Sequence, residues 1–292
     1  MSVARPLSTA PSRTMTPRAE ADAAAPAAET TPEPPTATFW QRHDGLIVGG
    51  VAVVVVLALW QAAWSAGMID PLFFSGPSAI FARLWRGLFV EGDMVRHIVF
   101  SAENFAGGFA IAAALGVPLG LVLGWYRLPR LALEPFISSL YSTPRIVFVP
   151  LIIMWFGLGL GSKIVIVALS AFFPILLNVM SGVRTTDAQL LRAARAYCAT
   201  EWDLFRTVVL PSTVPFIIVG LRQGVALGLI GVVVGEFFAG SFGIGYLVGQ
   251  AATMFQTDLL FACVVIVAAV GIGASVALQR VEKHFQRWRP KA

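Results

Sequence analysis

From Leu46 onward the chain alternates long apolar runs with short polar breaks. Six runs predict helices: Leu46–Trp64, Ile98–Trp125, Leu131–Phe156, Ile164–Val183, Pro215–Phe238 and Leu259–Leu278. Each is close to the roughly 20 residues that cross about 30 Å of hydrocarbon. Lipid offers backbone N–H and C=O groups no partner, so each span is expected to be helical. The fold expected is an all-α membrane protein with about six transmembrane helices, its membrane domain covering residues 40–285. Between the first two spans, Ser78–Val90 predicts a short amphipathic helix on the outer surface. Ile80, Leu84 and Leu88 share one of its faces, with Arg83 and Arg86 elsewhere.

The longest polar stretch inside this domain is Arg184–Pro211, within a loop expected over residues 184–214. Thr186 and Gln189 have capping-box spacing, and Leu190, Ala194 and Tyr197 then fall on one helix face. Thr200 and Asp203 predict a second helix start, followed by the stripe Trp202, Phe205 and Val209. Pro211 and Pro215 are expected to end that helix and open the next span. The result is a helical hairpin just outside the bilayer, rimmed by Arg192, Arg195, Glu201 and Arg206. From pattern alone, it is either a docking knob or a hairpin that only tidies the loop.

Composition agrees with the periodicity. Of 292 residues, 57% are hydrophobic and only 13% charged, where a soluble domain carries about 25% charged. Mean hydropathy is +0.77. The net charge of +5 comes from basic residues scattered at the ends of apolar runs. That is the pattern of flanks at a lipid surface, and it argues against a nucleic-acid partner. With the N-terminus inside, the outer segments hold only Arg83, Arg86, Arg96 and Lys163. Twelve basic residues, among them Arg42, Arg127, Arg130, Arg184, Lys283 and Arg287, fall on the inner side. Both termini are therefore expected in the cytoplasm. Residues 1–39, rich in Ala, Pro, Thr and Glu, predict a disordered tail without the apolar core of a secretory signal. Residues 286–292 predict a second tail.

Candidate chemistry is sparse. Cys198 and Cys263 lie in different regions and predict no disulfide. His43, His97 and His284 are scattered and offer no metal or nucleophile–base constellation. Gly157–Lys163 is glycine-rich but lacks the Gly-Lys-Ser/Thr of a phosphate cradle. No metal, cofactor or catalytic residue is expected in this chain. Polar residues near or within spans are Glu103, Asn104, Glu134, Arg145, Asn178, Arg222 and Glu236. Arg145 and Arg222 are expected to snorkel near cytoplasmic helix ends. Asn178, Gly231, Gly235 and Glu236 are candidates for a pathway or gate. Glu236 fits an outer gate or an interfacial carboxylate equally, and Gly231 with Gly235 suggests close packing across a subunit pair. Gly116, Gly120 and Gly124 repeat every four residues and let helix backbones approach closely.

The run Arg192-Ala193-Ala194, three residues, Cys198, nine residues, Val208-Val209-Leu210-Pro211 resembles the EAA loop of binding-protein-dependent ABC importer permeases. That loop reads Glu-Ala-Ala, three residues, Gly, nine residues, Ile-x-Leu-Pro. Arg192 stands where the family has Glu. Cys198 stands where it has Gly, which sets a side chain against the positive φ that Gly adopts freely. Further matches over about residues 45–288 resemble the nitrate/sulfonate/taurine group: Thr143-Pro144, Pro150, Trp155–Gly159, Phe172-Phe173-Pro174, Asn178, Val232–Glu236 and Gly243–Leu247. The resemblance implies a multi-pass permease in the bacterial inner membrane, paired with a second copy. Two cytoplasmic ATPases that bind ATP and Mg, and an external solute-binding protein, would complete the importer. The solute would be a small sulfonate, nitrate or similar anion. Arg192, Ala193, Ala194, Cys198, Trp202, Phe205, Leu210 and Pro211 would then couple the membrane domain to the ATPase. A secondary transporter is the rival reading. It predicts an inverted repeat, which the sequence lacks, and leaves the hairpin without a task.

Overall fold

The computed structural model describes the backbone of residues 39–285 and the side chains of residues 48–280. Of the tail expected over 1–39, all but Phe39, which opens the first helix, lies outside the described residues, as do the tail expected over 286–292 and the side chains of Arg42, His43, Lys283 and His284. The packing below belongs to the compact unit that begins at Ala52.

Every described element is a helix or a helical turn. Helix α1 (Phe39–Ser65) is followed by the short α2 (Pro77–Trp85), which runs into a π-helical turn, Arg86–Val90. Ile80 is buried, with Leu84 and Leu88 packed against the same core, so the predicted amphipathic face is the buried one. Arg83 closes α2 onto the next helix by ion pairs to Glu91 (2.9 Å) and Asp93 (3.3 Å). Burial opposes its charge, but these two carboxylates more than offset that and hold its proton more firmly than usual.

Helix α3 (Asp93–Trp125) begins five residues before the predicted span. Helix α4 (Arg127–Ser142) and helix α5 (Val149–Phe156, preceded by a 3-10 turn, Arg145–Phe148) replace the continuous third span. The two halves meet at 93°. Pro144 gives no N–H and forces Thr143 out of the helical region, to φ −75°, ψ 131°. The apolar run through this point concealed the break.

Helix α6 (Leu160–Arg184) is the centre of the unit and carries more buried side chains than any other helix. Its two long neighbours reach it through glycines. A Cβ added at Gly120 would lie 2.8 Å from the Leu176 carbonyl oxygen, and one at Gly124 would lie 3.0 Å from that of Met180. The predicted glycine repeat of α3 is therefore a seam against α6. The other seam belongs to α9 (Leu210–Ala239), whose Gly220 and Gly224 meet Ile175.

Before α9 come α7 (Ala188–Ala196) and α8 (Glu201–Leu204), the predicted hairpin. After it come α10 (Ile244–Thr253), which the periodicity did not isolate, and α11 (Thr257–Phe285). Among the described residues, five stretches are long and apolar enough to cross a membrane: Val48–Ser65, Asp93–Trp125, Leu160–Arg184, Glu201–Ala239 and Thr257–Arg280. The bent pair makes a sixth. This is the all-helical, roughly six-span fold expected.

Candidate functional site

The hairpin is built by caps. Asp187, not Thr186, starts α7, its carboxylate accepting from Gln189 N at 2.7 Å. Thr186 instead meets Ser212 Oγ at 3.2 Å, tying the start of the hairpin to the base of α9. Helix α8 opens on the predicted Thr200–Asp203 capping box, with both reciprocal bonds present. Between the helices, Ala199 N–H donates to Ala194 O (3.3 Å) and Cys198 N–H to Arg195 O (2.9 Å). This pair of bonds is a Schellman motif, whose C′ residue is left-handed and usually Gly. Cys198 occupies that position with φ 59°. The fold therefore keeps the turn despite the side chain, at a strain of about 1–2 kcal/mol.

No residue of α7 is buried in the described chain. Arg192 and Ala193 are exposed and Ala194 half-buried. Tyr197, from the predicted stripe, is 89% exposed. The second stripe divides. Trp202 is 66% exposed, while Val209 is buried, as is Leu204 outside the predicted stripe. Phe205 packs edge-on against Trp125 of α3, with ring centroids 5.7 Å apart. Pro211 and Pro215 do not end the helix; both lie within α9. The register turns π-helical over Phe205–Val209 and continues into α9, with Pro211 in its first turn, where a missing N–H is tolerated. Residues 201–239 thus run as one helical stretch from the hairpin through the fifth span. Arg195 and Glu201 (3.4 Å) brace the two arms.

At the far end of α9 sits a clasp that the sequence did not reveal. Glu236 is 0% exposed. Its carboxylate accepts from Ser101 Oγ (2.8 Å), Asn104 Nδ2 (3.1 Å) and Gly245 N (3.0 Å). Ser101 Oγ also accepts from Ile244 N (2.8 Å), and Gly243 N–H donates to His97 Nδ1 (3.0 Å). His97, Ser101 and Asn104 form an i, i+4, i+7 stripe on α3, a signal present in the sequence but scattered among separate observations. Gly243, at φ 116°, leaves room for the carboxylate, since a Cβ there would lie 2.3 Å from the Glu236 side chain. Lys163, expected in an outer loop, is inside α6 and 3% exposed, its Nζ 4.7 Å above the Phe100 ring.

The remaining pathway candidates are partly engaged within the chain. Asn178 Nδ2 donates to Pro174 O (2.7 Å) and Gln223 Oε1 (2.8 Å), linking α6 to α9. Gly231 and Gly235 approach Ser170 and Ile166 of the same chain, rather than presenting a free face for a partner. Arg145 lines a cavity with Ser170 and Gly231, which lie inside α6 and α9 and not at their ends.

Comparison with known proteins agrees with this architecture. The putative aliphatic sulfonates transport permease of Escherichia coli is 34% identical over 237 residues, covering 81% of this chain and 90% of that one. The riboflavin transport system permease of Chloroflexus aurantiacus is 32% identical, covering 85% and 92%. The inward-facing MetNI methionine ABC transporter superposes with a TM-score of 0.59 at 19% identity, over 66% of this chain and 95% of that one, and so shares the fold. Residues 116–288 match the family described as the binding-protein-dependent transport system inner membrane component. The chain belongs to that family, within the nitrate/sulfonate/taurine group, and is the permease subunit of an ATP-binding cassette importer, not an enzyme.

Proposed function

We propose that the α7–α8 hairpin is the lever through which a cytoplasmic ATPase drives this permease. Permeases of this family work with an ATPase and a solute-binding protein. We further assign a pair of permease copies, two ATPases that hold the ATP and Mg, and an external binding protein. The membrane is the bacterial inner membrane, with both termini in the cytoplasm. The solute is a small anion such as a sulfonate or nitrate, a reading supported by the sulfonate permease relative and set against the riboflavin one.

The observation that carries the coupling role is mechanical. Helix α7 has no buried face of its own. It is joined by a braced turn to a helix that runs unbroken into the membrane. A push on α7 therefore becomes rigid-body motion of the fifth span. Arg192, Ala193, Ala194 and Tyr197 form the docking face, and Cys198 sets the turn. Trp202 is the exposed aromatic beside them. Phe205, Leu210 and Pro211 carry the load into α9.

Ala194→Pro tests this. Proline inside the nine-residue α7 removes a helix bond and disrupts the helix by about 3 kcal/mol or more. The variant is expected to insert in the membrane at parental levels but to lose uptake and co-purification with the ATPase. Parental uptake in that variant would remove the coupling role. Uptake by the parent without any ATPase would instead favour a secondary transporter.

A further inference from the structure

We propose that the cavity at the break of the third span is a transit site for the anionic head of the transported solute, with Arg145 as its cation. The inference rests on the importer reading above. The cavity holds about 550 Å³, within the range that takes a small organic ligand. One wall is the break itself, with Tyr141, Ser142, Thr143 and Arg145. The facing wall includes Ser170 of α6 and Gly231 of α9.

Its depth excludes a surface explanation. Ser170 lies ten residues into α6, about 15 Å along the axis from its outer end, and Gly231 lies about 12 Å from the end of α9. An arginine at that level is expensive unless it faces a partner or a polar cavity. No carboxylate lines this cavity. Arg145 makes no ion pair among the described residues. Its guanidinium lies 5.4 Å from the centroid of the Tyr141 ring, and its buried Nε has no hydrogen-bond partner.

The break adds a second positive feature. It turns the start of the half-helix Arg145–Phe156 into the cavity wall. Helix starts carry unsatisfied N–H groups and partial positive charge. A cation, a helix start and hydroxyls of Ser142, Thr143 and Ser170 therefore surround one space without an acidic residue. An oxyanion head fits that chemistry, and a cation does not. The shared requirement covers sulfonates, carboxylates and nitrate. The apolar residues of the remaining lining, such as Ile166 and Ile230, suit the organic part of the solute.

The test reads the charge preference of the cavity directly, with the purified permease–ATPase complex and no assumption about the solute. Ser142→Cys is made in a Cys198→Ser background, since Cys263 is buried and unreactive. Labelling rates are measured for an anionic and a cationic methanethiosulfonate, each divided by the reagent's rate with free mercaptoethanol. The anionic reagent is expected to label at least fivefold faster. Arg145→Gln is expected to erase the preference, and Arg145→Lys to keep it. Equal rates with Arg145 intact overturn the assignment, as does a preference that survives Arg145→Gln. If Arg145→Gln does not assemble, the ratio with Arg145 intact decides alone. The Ala194→Pro experiment tests the importer reading separately, so either inference can fail without the other.

Discussion

The Glu236 clasp makes a quantitative prediction about stability. Removing the carboxylate in Glu236→Ala deletes three hydrogen bonds to a group that is 0% exposed. The Gly245 N–H and the Asn104 amide are then left facing no acceptor, while the Ser101 hydroxyl can rotate. A buried donor without a partner costs about 1–3 kcal/mol, so two of them cost about 2–6 kcal/mol. The space vacated by the carboxyl group adds to this. Glu236→Gln behaves differently. Its carbonyl can still accept from Ser101 and Gly245. Its amide then meets Asn104 Nδ2, donor against donor, but Asn104 Oδ1 is buried without a partner. A flip of the Asn104 amide therefore restores the third bond but leaves Asn104 Nδ2 as the one unpartnered donor, so the loss falls to about 1–3 kcal/mol, about half that of the alanine variant. Denaturation midpoints of the purified protein in detergent micelles read both values. An alanine variant within 1 kcal/mol of the parent refutes the clasp. So does a glutamine variant as damaging as the alanine one.

Two further substitutions test neighbouring claims. Cys198→Gly relieves the left-handed strain but adds chain entropy, for a net gain of about 0.5–1 kcal/mol in hairpin stability. It is read as slower hydrogen exchange over residues 188–204, and Cys198→Val is expected to speed that exchange. Gly120→Leu drives a side chain into the Leu176 carbonyl, where even a Cβ would lie 2.8 Å away. Separation of α3 from α6 is expected to cut the yield of monodisperse protein severalfold, whereas Leu115→Ala on the exposed side of α3 leaves the yield unchanged.

The spans were legible because lipid makes apolar length itself the signal. The hairpin was legible because its caps, Thr200 with Asp203, and its spacing are local. Local signals also misled. Thr186 and Gln189 have capping spacing, yet Asp187 competes for the same N–H and wins. Thr143-Pro144 marked a break, but apolar residues on both sides hid it within one run. Helix α10 was missed because ten residues, two of them the polar Gln250 and Thr253, are too short to stand out beside true spans. The clasp was illegible for a different reason. Ser101 and Asn104 lie 135 and 132 residues from Glu236, and no periodicity links positions at that range. Arg145 was visible as an intramembrane charge. Only the bend at Pro144 shows that it faces a cavity.

The unbroken run from Glu201 to Ala239 also acts as a ruler. Each residue inserted or deleted between Val209 and Gly220 would rotate everything before it by about 100° relative to the glycine seam. Leu204, buried on one side, would swing toward solvent, and the exposed Trp202 would turn toward another bearing. Chain-length variation is therefore tolerable in the loops between other spans but not here, because the phase of this rod fixes which way the hairpin faces.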